Sequence, residues 1–151
     1  MDASAISILW SEAVVAEVIV FLIIGPALLG RIGTRGAAAL AAVAGIIRWS
    51  VAGVTTSVWL LSILQPLHGL TFALLHLACM RMMASLVPIS LCATAQALYA
   101  FAAGLTTAAL TLSSGILYAR YGGASFFPMA VLCGVALPFA WFGFADKPES
   151  S

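Results

Sequence analysis

The chain has 151 residues, of which 64% are hydrophobic and 7% charged, with six basic and five acidic side chains and a net charge of +1. Globular proteins carry about 25% charged residues, so this composition cannot clothe a water-facing surface, and lipid is the solvent that suits it. The charge balance also excludes a basic stripe for nucleic acid.

A membrane-spanning helix needs about 20 apolar residues, because its backbone polar groups must all be satisfied within the segment. The first such run covers residues 5–29. Asp2 and Glu12 flank it where a secretory signal would be basic, so it is expected to be a retained helix. It stops at a short turn, residues 30–36, that holds Arg31, Arg35 and three glycines. A second run covers 37–56 and ends at Thr55, Thr56 and Ser57. The third run covers 59–83, with Trp49 and Trp59 as expected interfacial anchors. After a break around Pro88 a fourth run covers 91–118, closed by Arg120, Gly122 and Gly123. A fifth covers 126–144 and leads into a polar tail from Asp146 to Ser151.

The expected fold is therefore an all-α integral membrane domain with five transmembrane helices. Positive residues favour the cytoplasmic side. That rule puts the N-terminus outside and the C-terminus in the cytoplasm, with Arg31, Arg35, Arg81 and Lys147 inside and Arg120 outside. Small residues are dense in the second and fourth runs, which predicts close helix packing. Cys79, Cys92 and Cys133 sit singly in apolar runs and read as small hydrophobic fillers, not as a metal or redox motif.

Three ionisable side chains are predicted at one depth. Glu17 is the middle residue of the first run, Arg48 lies near the middle of the second, and His68, followed by Thr71, near the middle of the third. Charges at mid-membrane are costly and face a partner or a watery cavity. Glu17 lies 13 residues before Gly30 and Arg48 12 residues after Gly36, so antiparallel neighbours would set them opposite each other as a pair. His68 has the chemistry to exchange protons or to orient a substrate oxygen. His76, two turns further along the same face, is expected to line the same pathway. A structural role in helix packing is the alternative for all of these residues. Glu12 lies about a turn and a half outside Glu17, where reaching to interfacial water suffices for it.

The stretch from Pro26 to Arg35, with Gly30, Arg31, Gly33 and Arg35, resembles the cytoplasmic loop motif in the C-terminal half of major facilitator transporters. Trp10, Glu17, the run Gly45 to Trp49, the run Gln65 to Phe72, His76, Arg81 and the run Gln96 to Tyr99 resemble the branch of that superfamily that contains the 3-phenylpropionate permease, a branch itself similar to lactose permease and nucleoside symporters. The likeness extends from about Ile8 to Phe142 and implies helices eight to twelve of twelve, that is, part of a C-terminal half with the other half missing or supplied by a partner chain. It implies a bacterial inner-membrane carrier that moves a small organic solute, such as an aromatic carboxylate, with protons. It also implies roles in substrate binding and proton coupling for Arg48 and His68. Thr71 stands where lactose permease has a proton-carrying glutamate, so proton transfer would fall to Glu17 or His68. No enzyme activity, metal or cofactor is expected. The rivals are a non-transporting membrane assembly protein and a haem-bearing redox subunit using His68 and His76, which the placement of both histidines on one helix disfavours.

Overall fold

The computed structural model describes residues 3–144, all of them in helices or in the short turns that join helices, with no strand among the described residues. Six α-helices follow in order: α1 (Ala3–Ile19), α2 (Gly25–Val54), α3 (Val58–Gly69), α4 (Leu75–Leu86), α5 (Cys92–Tyr121) and α6 (Phe127–Gly143). Asp2, Lys147 and the polar tail lie outside the described residues.

Helical structure is more continuous than the apolar runs imply. A π-helical turn, Val20–Ile24, joins α1 to α2, and another, Leu70–Leu74, joins α3 to α4. The first precedes Pro26, whose ring and missing N–H disturb a regular helix; the wide turn accommodates this, the Gly25 N–H bonding back to the Val20 carbonyl. The expected five separate spans are not matched. Three continuous stretches are long and apolar enough to cross a membrane: Ala3–Val54, Val58–Leu86 and Ile89–Gly143. The physical reason lies in the glycines. The predicted wet turn at 30–36 shrinks to Gly33 alone (φ 68°, ψ −179°), helix resuming at the next residue, and the break near Arg120 becomes a 3-10 turn, Gly122–Phe126, opened by Gly122 at φ 55°. A residue without a β-carbon reverses the chain where others would need a loop.

A 52-residue helix would be about 78 Å long if straight, far beyond the roughly 30 Å of hydrocarbon. The bend at Gly33 folds the first stretch into two legs, residues 3–32 and 34–54. Val20, Leu29 and Ala37, from both sides of the bend, meet Ala73, Leu74 and Ala78 of the second stretch in one buried cluster. α2 packs chiefly along α6, and α1 along α3. α5 buries none of its residues.

The legs have two common ends. Arg81 of α4 donates to the Leu29 carbonyl at 3.2 Å, and the Arg35 guanidinium lies over the Trp141 ring at 5.6 Å, so Arg31, Arg35 and Arg81 gather at the end that holds Gly33. At the other end Trp49 stacks on Phe126 with centroids 5.7 Å apart, which sets the turn after Arg120 beside the last turns of α2. Large apolar side chains face outward throughout, among them Trp10, Leu22, Trp59, Phe101 and Phe142. Such a surface is stable in lipid and not in water. The molecule is a multi-pass membrane protein.

Candidate functional site

The site forms where Arg48, in the last two turns of α2, comes beside the C-terminal ends of α1 and α3, which carry Glu17 and His68. α3 comes unusually close to α1 at Gly69. A β-carbon on Gly69 would stand 2.7 Å from the Ala16 carbonyl oxygen and 2.7 Å from Val20 Cγ2. Glu17 follows Ala16 in sequence and His68 precedes Gly69, so this glycine contact brings the two ionisable side chains together. His68 Nε2 lies 2.5 Å from Glu17 Oε1, and each side chain is 22% exposed. A charge-assisted hydrogen bond of this length is among the strong ones.

The carboxylate thus has His68 as its direct partner, and not Arg48 as the chain arithmetic implies. Facing legs set Glu17 and Arg48 at one depth, but the contact with α3 claims the carboxylate. Arg48 interacts electrostatically with both Glu17 and His68, while its guanidinium lies 4.6 Å from the centroid of the Trp49 ring. Trp49 is therefore a cation–π partner of the site residue beside it, a role hidden by its interfacial appearance in the sequence. Thr71 turns back on its own helix, its hydroxyl donating to the His68 carbonyl at 2.9 Å.

Two cavities meet at Arg48 and His68. One, of about 570 Å³, is lined by Arg48, His68 and Thr71 together with Trp49, Phe72, Phe139 and Phe144. The other, of about 240 Å³, lies towards the start of α1 and is lined by Ile6, Leu9, Trp10, Ala13 and Gln65, again with Arg48 and His68. The two polar side chains form the wall between them. A mostly apolar pocket with a few convergent polar groups is the usual form of a small-molecule site.

His76 does not join this arrangement. Its Nδ1 lies 3.3 Å from the Tyr99 hydroxyl of α5, and its ring meets Phe21 edge-on at 5.7 Å. The two histidines share a helix face in projection, but the π-helical turn at Leu70–Leu74 lies between them and changes the register, so His76 points to α5. Tyr99 is its partner, and no sequence spacing links residues 23 positions apart. The loop residues Gly30, Arg31, Gly33 and Arg35 lie at the bundle end, away from both cavities.

Residues 1–129 match the model of the MFS_1 like family. Over 138 residues, 91% of the chain, the sequence is 40% identical to the probable 3-phenylpropionic acid transporter of Escherichia coli (strain K12), and the match covers 35% of that protein. The chain thus spans about a third of the length of this relative. No solved structure matches it.

Proposed function

The chain belongs to the MFS_1 like family of major facilitator transporters, and from that premise we propose that it forms the solute-binding and proton-handling part of a carrier for a small organic anion. The observation that carries this reading is the wall made by Arg48 and His68 between two cavities, with His68 bonded to Glu17. A transporter needs a mid-membrane site reached in turn from each side. A wall of ionisable side chains between two cavities has that form.

An aromatic carboxylate is the solute class that the lining favours. Arg48 offers a guanidinium for charge-assisted hydrogen bonds, and Trp49, Phe72, Phe139 and Phe144 supply ring contacts along the larger cavity. The name of the Escherichia coli relative agrees with this class. Glu17 and His68 are the proton-carrying pair, with Thr71 holding the helix at His68 and lending a hydroxyl to the cavity wall. His76, held by Tyr99, supports α5 and the pathway's border.

Arg31, Arg35 and Arg81 at one end and Arg120 at the other support a cytoplasmic Gly33 end and a first helix that starts outside. The inner membrane of a bacterium is the proposed location. Alternating access requires a second helical body against which this one rocks, whether in the same polypeptide or in a partner chain.

The test is saturable binding of 3-phenylpropionate to the purified chain in detergent or nanodiscs. Saturable binding that weakens in Arg48→Leu supports the reading. Binding indifferent to that substitution removes Arg48 from the site and with it the anion assignment.

A further inference from the structure

Three buried polar atoms lie in series from the middle of α1 to the central pair, each without a hydrogen-bond partner among the described residues: Glu12 Oε2, Gln65 Oε1 and His68 Nδ1. Buried polar atoms are nearly always satisfied, so each orphan calls for an explanation. Two cavities connect them. Glu12 and Gln65 both line a groove of about 560 Å³ between α1 and α3, which also holds the hydroxyl-bearing Ser11 and Ser62. Gln65 and His68 both line the 240 Å³ cavity that ends at Arg48. Gln65 is one turn before His68 on α3 and belongs to both spaces.

From this series we infer that Glu12 and Gln65 form the proton entry route to the His68–Glu17 pair, a role that rests on the proton-handling reading above. The walls of both spaces are mostly apolar, and the orphaned atoms with the Ser11 and Ser62 hydroxyls are the polar partners that a file of waters there needs. Glu12 takes a proton from the aqueous side and becomes a neutral acid. It gives that proton to a chain of waters held by the Gln65 amide, which orients the chain and carries no charge itself. The terminal water protonates His68 Nδ1, and His68 releases its Nε2 proton to Glu17 Oε1. Glu12 returns to carboxylate, Glu17 ends as the acid, and His68 is neutral again with its proton on the other nitrogen. The charged groups facing the route are Glu12 and Glu17 from α1, Arg48 from α2 and His68 from α3. The orphaned Nδ1 is what this exchange requires, since Nε2 is already committed to Glu17.

The experiment is a pH jump on the full chain in nanodiscs, followed by time-resolved infrared absorption of carboxyl groups, with Glu17→Gln identifying the Glu17 band. Glu12→Gln and Gln65→Leu are expected to slow proton arrival at Glu17 at least about tenfold, with the end point of the Glu17 titration and the helix content unchanged. Gln65→Glu, which keeps a polar group at the junction, is expected to restore the rate lost in Gln65→Leu. Arrival at the unmodified rate in Glu12→Gln overturns the route while leaving the pair's proton chemistry intact. Absence of any proton uptake by Glu17 in the unmodified chain overturns that chemistry and the route with it.

Discussion

Gly69 presses against the Ala16 carbonyl so closely that a β-carbon at residue 69 would lie 2.7 Å from the oxygen. This contact sits one residue from each member of the Glu17–His68 pair, so helix packing and site geometry depend on the same atom being absent. In lipid there is no hydrophobic drive between helices, and close backbone approach through small residues takes its place.

Gly69→Ala is therefore expected to separate α1 from α3 and to lengthen the Glu17–His68 bond. Overpacking a close contact costs about 1–3 kcal/mol, which thermal unfolding of the chain in detergent will register as a lowered midpoint. Gly104→Ala is the control, because a β-carbon there meets nothing within 4 Å. Equal behaviour of the two variants would show that the Gly69 contact carries no strain.

A double-mutant cycle of Glu17→Gln and His68→Asn is expected to give a coupling of about 0.6–1.7 kcal/mol, the range of polar interhelical contacts in membranes. The same cycle on Glu17→Gln and Arg48→Leu is expected to give a smaller value, since Arg48 acts on Glu17 through space without a direct bond. A larger coupling to Arg48 than to His68 would reverse the assignment of partners.

Much of this arrangement is legible in the sequence, and the limits have physical causes. Glu17, Arg48 and His68 stand out because ionisable groups in apolar runs are costly, and their common depth follows from span lengths alone. Which of them bond is decided by the approach of α1 to α3 at Gly69, a contact between residues about fifty positions apart that no periodicity encodes. The π-helical turn at Leu70–Leu74 likewise redirects His76 to Tyr99, because an extra residue per turn rotates everything beyond it. Glycine at 33 and 122 reads as loop, yet the first takes positive φ inside otherwise continuous helix and the second opens a 3-10 turn of only five residues.

Arg81 donates to the Leu29 carbonyl, one of the last before the helix breaks at Gly33. A cation at a helix C-terminus stabilises by about 0.3–1 kcal/mol. Arg81→Ala is expected to lower global stability by no more than that and to raise hydrogen exchange around residues 29–35. Unchanged exchange there would mean that the bend holds without the arginine.

Arg48 offers the sharpest test of the solute site. Hydrogen bonds to charged groups contribute about 1.5–3 kcal/mol, so removing the guanidinium in Arg48→Leu is expected to weaken carboxylate binding by roughly 10- to 150-fold. Arg48→Lys keeps the charge but loses the planar fork, and an intermediate loss is expected. Trp49 supplies the readout, since its ring lies 4.6 Å from the Arg48 guanidinium, and a carboxylate that draws the guanidinium away will change the indole fluorescence. A neutral amide of the same acid separates charge from shape. It is expected to bind the unmodified chain and Arg48→Leu about equally, whereas parallel losses for acid and amide would mean that Arg48 shapes the cavity without pairing the anion.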